Sequence, residues 1–187
     1  MKDLFEVAKR VQEFLDARGW QSCIIGGIAV QRWGEPRLTR DVDVTLLAGL
    51  GNEEKYVDEI LTHFASRISD AREFALLRRV MLLAATDGTD IDLALGGLPF
   101  EERAVGRATN FEFYPGMTLR TCSAEDLITM KTFAGREQDW GDVKGIIARK
   151  GRALDWQVIL SELRPLCELK ESPDIVAQLE RLRDSIA

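Results

Sequence analysis

The chain has little histidine and little cysteine: His63, Cys23, Cys122 and Cys167 are the only examples among 187 residues. A single histidine excludes a zinc site built on several histidines, and it makes a Ser-His-Asp triad improbable. The cysteines are odd in number and form no Cys-x-x-Cys pair, which argues against a disulfide framework or a structural zinc site. We therefore expect reduced core cysteines and a histidine at the surface or boundary of a helix.

Long apolar runs and an excess of basic residues are also absent. No run approaches transmembrane length, and the first ten residues carry charges of both signs, unlike a signal peptide. We therefore expect a cytoplasmic protein with no membrane partner. The formal net charge is −6, which excludes a broad non-specific surface for nucleic acid, so any such contact should be local.

Periodicity predicts strands and helices in alternation, followed by helices alone. Predicted helices cover 3–18, 28–33, 52–65 and 71–77, with a short one after Pro99, and predicted strands cover 21–25, 41–47, 79–86, 90–95, 110–114 and 117–121. From Ser123 onward the pattern is helical, and Ser123 begins a capping-box-like sequence. We expect an α/β (α+β) core with a mixed sheet in residues 1–121, and a helical part in 122–187 packed on it as one compact unit.

Two aspartates separated by one apolar residue, Asp41 and Asp43, are the strongest functional signal. Side chains alternate along a strand, so both carboxylates point to one face while Val42 and Val44 point into a core. Two hard oxygen donors on a rigid strand suit a Mg²⁺ ion that keeps several waters and bridges to nucleotide phosphates. The pattern therefore indicates a nucleotidyltransferase that uses magnesium and a nucleoside triphosphate.

A glycine pair, Gly26-Gly27, follows the first predicted strand and precedes these aspartates. Without side chains, its backbone N–H groups and the start of the next helix can contact a triphosphate, although such a pair is often only a tight turn. Arg37 and Thr39 come just before the first aspartate, where each can donate to a phosphate. Arg40 can do the same or can pair with an acid at the surface.

A second aspartate pair, Asp90 and Asp92, lies on the later strand of a hairpin predicted at Asp87-Gly88. Asp92, flanked by apolar residues, is the predicted third carboxylate. The sequence leaves open whether Asp90 joins Asp92 in the site or replaces it. If this strand lies beside the first, divalent cations relieve the repulsion of the acids, and two ions roughly 4 Å apart activate a hydroxyl and stabilise departing pyrophosphate. In the competing interpretation, each pair of aspartates is simply the solvent-exposed face of an amphipathic strand.

Taken together, these residues resemble the DNA polymerase β-like nucleotidyltransferase superfamily, and within it the AbiEii toxin-related group. The similarity spans residues 24–142 and rests on Gly26-Gly27, Arg37-x-Thr39-x-Asp41-x-Asp43, Ile91-Asp92-Leu93 and Glu125-Asp126-Leu127-x-x-x-Lys131, with Arg136, Asp139 and Asp142. The resemblance implies magnesium-dependent transfer of a nucleoside monophosphate to a hydroxyl. Asp41, Asp43 and Asp92 would then be both catalytic and metal-binding, with two Mg²⁺ ions.

The resemblance also implies that Lys131 and Arg136 bind the nucleotide. Lys131 lies on the apolar stripe of its helix, where the alternative is a side chain that extends past the stripe to solvent. For Arg136, Asp139 and Asp142 the alternative is an ion network that fixes the helical part.

The acceptor is left open by the sequence. The resemblance implies a tRNA 3′ end or a protein hydroxyl, with a cognate antitoxin as a further partner, although the Gly-Gly motif departs from the Gly-Ser of minimal nucleotidyltransferases. One rival is a non-catalytic nucleotide-binding or toxin–antitoxin module. Another is an aminoglycoside-type enzyme, which would need an acidic pocket for a polycationic acceptor. The candidate acids for that pocket are Glu101, Glu102, Glu125 and Asp126.

Overall fold

The structure is a computed structural model that describes residues 2–186, except for the side chains of residues 2 and 3. The helices are α1 (Lys2–Asp16), α2 (Gly26–Trp33), α3 (Glu53–Leu61), α4 (Ala71–Arg78), α5 (Pro99–Arg107), α6 (Ala124–Ala134), α7 (Glu137–Lys150), α8 (Trp156–Leu169) and α9 (Asp174–Ile186). The strands are β1 (Ser22–Ile24), β2 (Asp41–Leu47), β3 (Ala65–Ser66), β4 (Val80–Ala84), β5 (Asp90–Gly96), β6 (Thr109–Tyr114) and β7 (Met117–Thr121).

The first of two compact units comprises the chain up to Ile28 together with Leu38–Cys122. Its centre is a seven-stranded sheet with the order β3-β4-β5-β2-β1-β7-β6. Strands β2 and β5 are parallel, as are β1 and β7, whereas the other neighbouring strands are antiparallel. The predicted mixed sheet is therefore confirmed, including the antiparallel hairpin between β4 and β5.

Alternating burial fixes the register of the two central strands. Their buried hydrophobic residues are Val42, Val44, Leu46, Ile91, Leu93 and Leu95. Helix α1 packs against β1, β2 and β7 with its own apolar side chains. A slip of one residue would turn the buried set of a strand to the opposite face, so the residues between them are held on the less buried face.

The second unit comprises Ala29–Arg37 together with the chain from Ser123 onward. Within it, α6 packs against α7 and α8, and α9 packs against α7 and α8. The predicted cap at Ser123 is present, because its Oγ accepts a hydrogen bond from the Asp126 N–H at 3.0 Å. The predicted division of the chain lies after residue 121, and in the structure Ala29–Arg37 also belongs to the helical unit.

The predicted end of the third helix was wrong. The helix expected over 52–65 ends at Leu61, and Ala65 and Ser66 form β3, which pairs with β4. That pairing is non-local, so the local pattern does not reveal it. All three cysteines are buried thiols, as predicted. Every helix within residues 2–186 is too short or too polar to span a bilayer.

Candidate functional site

Strands β2 and β5 bring the two aspartate pairs together. Asp43 lies opposite Asp92, and Asp41 lies opposite Asp90, in parallel register. Neighbouring strands are about 4.8 Å apart, and residues two apart on a strand share a face. All four aspartates are partly buried, and Asp43 and Asp92 each lie between two buried residues. The first unit therefore presents four carboxylates on one face of two adjacent strands.

Arg67, which the sequence analysis did not single out, supplies a cation to this cluster. It directly follows β3, and its backbone N–H donates to the Leu82 carbonyl of β4 at 2.9 Å. Its guanidinium donates to Asp90 Oδ2 at 3.0 Å and also to Asp92. Nothing in the local sequence marks this arginine, because its contact depends on the pairing of β3, β4 and β5.

The pKa of Asp92 lies above the ordinary aspartate value. Burial is the largest cause, because it disfavours the charged form; the charge of Arg67 opposes this effect, and the charges of Asp41 and Asp90 add to it. A carboxylate with a raised pKa is suited to accept a proton from a reacting group near neutral pH.

The glycine pair packs directly against two of the predicted site side chains. Gly26 has a φ of +58°, and a Cβ there would overlap the carboxylate of Asp43. A Cβ at Gly27 would overlap the side chain of Thr39. Both glycines belong to the first turn of α2. They are therefore needed so that the start of this helix can lie close to Asp43 and Thr39.

Thr39 contacts a neighbouring aspartate. Its Oγ1 donates a hydrogen bond to Asp41 Oδ1 at 2.8 Å, which fixes the orientation of that carboxylate. Arg40, beside it, is exposed. The predicted phosphate-binding role of Thr39 stays a prediction, because the hydroxyl is directed to an acid in this structure.

The donor set of the cluster suits magnesium. Mg²⁺ prefers oxygen ligands, and Asp41, Asp43 and Asp92 supply them from two neighbouring strands. Among the side chains of residues 4–186, no three His, Cys, Asp or Glu groups stand close enough together to hold a metal ion as they are arranged. In that arrangement Arg67 occupies oxygens of Asp90 and Asp92.

The remaining predicted nucleotide-binding residues lie in the second unit, where they contact acids. Arg37 donates to Asp142 through Nε at 2.7 Å and through Nη2 at 2.9 Å. Lys131 Nζ lies 2.8 Å from Asp139 Oδ1 and 3.0 Å from Asp142 Oδ2. The Arg136 side chain is 83% exposed, with its Nε 3.9 Å from Asp139 Oδ2. Lys131 therefore ends in an ion network that joins α6 to α7.

The two acids of the ion network are almost completely buried. The side chains of Asp139 and Asp142 are only 6% and 5% exposed. Burial alone would raise the pKa of Asp142, but hydrogen bonds and charges from Arg37 and Lys131 outweigh burial and lower it. Removing one member of such a network leaves another charge buried without compensation.

Three of the four acids predicted for a polycationic acceptor, Glu101, Glu125 and Asp126, are engaged within the fold. Glu101 accepts from the backbone N–H groups of Gly97 and Leu98 at 2.8 and 2.9 Å, at the start of α5. Glu125 accepts from the backbone N–H before α8 at 3.2 Å. Asp126 is fully buried beside the cap of its helix. These three carboxylates are therefore already engaged within the protein.

Comparison with known proteins gives matches among solved structures alone. No protein-family model matches the chain, and no curated protein matches it. An antigenic nucleotidyltransferase-like protein from Paracoccidioides brasiliensis aligns with a TM-score of 0.55 and 18% identity, over 96% of this chain and 93% of that protein. The antibiotic-resistance factor ANT(2'')-Ia aligns with a TM-score of 0.52 and 17% identity, over 98% and 91% of the two chains.

The third structure is the lincosamide antibiotic adenylyltransferase LnuA with lincomycin bound. It aligns with a TM-score of 0.50 and 14% identity, over 73% of this chain and 92% of LnuA. At such low identity the likeness concerns the fold, and none of these proteins points to the AbiEii group. The chain has the nucleotidyltransferase fold that these proteins share.

Proposed function

We propose that the protein is a magnesium-dependent nucleotidyltransferase that moves a nucleoside monophosphate from a nucleoside triphosphate to a hydroxyl group. The observation that carries this proposal is the parallel register in which Asp43 faces Asp92, with Asp41 on the same face. Carboxylates supplied by neighbouring strands are the arrangement that two-metal phosphoryl chemistry requires.

The roles of the acids follow from their positions. Asp41, Asp43 and Asp92 would hold Mg²⁺, which when bound stabilises charge on the triphosphate and on the departing pyrophosphate. Asp92 accepts the proton of the acceptor hydroxyl. The acceptor oxygen forms a bond to the α-phosphorus as the bond from that phosphorus to pyrophosphate breaks, and pyrophosphate leaves with the electron pair.

Nucleotide contacts are proposed at the start of α2 and at three basic residues of the second unit. Backbone N–H groups at Gly26 and Gly27, at the start of α2, suit an anionic phosphate. The roles of Arg37, Lys131 and Arg136 rest on the family resemblance of the sequence. A phosphate at Lys131 would compete with the acids that this lysine already contacts.

The acceptor is proposed from the sequence resemblance. An AbiEii-related protein would modify a tRNA 3′ end or a protein hydroxyl in the cytoplasm, and it would be controlled by a cognate antitoxin. The net charge of −6 is no obstacle to a protein acceptor. A tRNA would require locally basic groups such as Arg37, Arg40, Lys131 and Arg136.

A small-molecule acceptor is the second candidate. It is supported by the structural likeness to ANT(2'')-Ia and to LnuA, which are an antibiotic-resistance factor and an antibiotic adenylyltransferase. Since Glu101, Glu125 and Asp126 are engaged within the fold, an uncharged or weakly basic acceptor fits better than a polycation.

Incubation with each labelled nucleoside triphosphate and Mg²⁺ tests the proposal. Total RNA, cell extract and a panel of aminoglycosides and lincosamides are supplied as separate acceptors, with Asp43→Ala as the control. Label transfer to RNA, protein or antibiotic, absent in the control, is the expected result and identifies the acceptor class. Nucleotide binding without pyrophosphate release above the control would instead favour the non-catalytic module.

A further inference from the structure

Arg67 spans both members of the second aspartate pair. Asp90 and Asp92 lie two residues apart on one face of β5, and the guanidinium donates to each of them. The backbone of Arg67 is itself held at the sheet, because its N–H donates to the Leu82 carbonyl. Leu82 pairs with Asp92 in the antiparallel register of β4 and β5. The arginine is thus placed beside Asp92 by strand pairing.

The positive charge of Arg67 offsets repulsion within the aspartate cluster. Four carboxylates on two paired strands repel one another, and a nearby cation favours their charged forms. Arg67 side-chain exposure is 27%, and that of Asp92 is 38%, so the contact is partly withdrawn from water. Charge-assisted hydrogen bonds of this kind are stronger than neutral ones.

We infer that Arg67 is an internal counter-ion that competes with a divalent cation for Asp92, so that the metal site is complete only when the guanidinium moves away. This inference rests on the proposed function, because it takes Asp92 as a metal ligand. If only a fraction of molecules has Asp92 released, the apparent metal affinity falls by that fraction. Arg67 acts through Asp92 and is therefore a positioning residue.

Titration of the full chain with Mn²⁺, followed by electron paramagnetic resonance in the absence of nucleotide, tests this competition directly. Arg67→Met removes the guanidinium and keeps an unbranched stem, and we expect it to bind Mn²⁺ about tenfold more tightly than the wild type does. Arg72→Met is the matched control, because Arg72 also spans two carboxylates, those of Glu54 and Asp58. We expect the wild-type affinity in that variant.

Two further variants keep the test decisive. Arg67→Lys retains a cation that reaches one carboxylate at a time, so we expect a smaller tightening, and this variant replaces Arg67→Met if the latter does not fold. Adding Asp92→Asn to Arg67→Met should abolish the gain, because the released ligand is lost.

The outcomes separate this inference from the proposed function. Equal Mn²⁺ affinities in the wild type, Arg67→Met and Arg67→Lys, together with loss of binding in Asp43→Asn, would overturn the role of Arg67 and leave the metal-dependent function standing. Absence of Mn²⁺ binding from the wild type and from both Arg67 variants would overturn both.

Discussion

Asp43 is held from two directions: Asp92 lies opposite it across the β2–β5 pairing, and Gly26 at the start of α2 packs against its carboxylate. The first contact fixes its position along the sheet. The second excludes any larger residue from the helix start. Asp43 is thus positioned by both a strand and a helix, as its proposed metal-binding role requires.

Asp92→Asn should abolish most of the transfer activity without unfolding the protein. Loss of a positioned acid–base group typically costs about 10²–10⁴-fold in rate. Neutralising one of four neighbouring carboxylates also relieves repulsion, so stability should be unchanged or higher. Pyrophosphate release and urea unfolding measure the two effects. Asp58→Asn, on the exposed side of α3, should retain full activity, and full activity in Asp92→Asn would remove Asp92 from the mechanism.

Gly26→Ala should lower both stability and activity. A left-handed backbone costs an alanine about 1–2 kcal/mol, and the new Cβ must also push the Asp43 carboxylate aside. Gly19→Ala is the matched control, because Gly19 has a φ of +68° and nothing within 4 Å of an added Cβ. It should lose stability by the backbone cost alone and keep its activity. Equal effects of the two substitutions in urea unfolding and transfer assays would contradict the close approach at Asp43.

Thr39→Val should weaken transfer through Asp41. The substitution keeps the shape of the side chain and removes the donor to Asp41 Oδ1, a hydrogen bond that contributes about 1 kcal/mol. Thr39→Ser keeps the hydroxyl and should retain more activity than the valine variant. Comparison of kcat and KM in the two variants is the measurement, and identical values would show that the threonine hydroxyl does not orient the acid.

Asp142→Asn should destabilise the second unit. Removing one charge of a buried ion pair costs about 3 kcal/mol, because Arg37 and Lys131 lose a charged partner. Urea unfolding at pH 7 measures the loss. Asp184→Asn breaks an exposed pair with Arg183 and should unfold like the wild type.

The stability difference between Asp142→Asn and the wild type should shrink in acid. The pKa of Asp142 is lowered in the folded state, so its stabilisation is complete above the ordinary aspartate pKa of about 3.9. Below that pH the unfolded chain binds more protons than the folded chain does, and the stabilisation is lost as the pH falls through the folded pKa. A difference that stays constant from pH 5 to below pH 3 would show that this carboxylate carries no such linkage.

Local patterns were sufficient for the elements that carry the carboxylates. Strand β2 was predicted with its observed bounds, Asp41–Leu47, because charged and β-branched residues alternate over its first four positions. The hairpin leading to β5 was predicted from Asp87-Gly88, where Gly88 has a φ of +85°. The structure of these segments can therefore be predicted from local alternation and from turn residues.

Other features depend on contacts between distant parts of the sequence, and local patterns therefore did not predict them. Strand β3 has two residues and exists because β4 pairs with it, so the helix preceding it was predicted too long. The role of Arg67 depends on the same pairing and therefore had no local signature. An ion network was predicted as the alternative for Arg136, Asp139 and Asp142, but Lys131 was not predicted to join it. Gly135 separates α6 from α7, so the sequence does not show which faces of the two helices meet.

The aspartates that face one another across β2 and β5 are separated by about fifty residues of chain. Contacts between such distant segments require the closure of a long loop, and they form slowly compared with local turns and helices. A chain emerging from the ribosome therefore carries two widely spaced acidic segments with no shared binding geometry. The four carboxylates come to share one face only after β2 and β5 have paired.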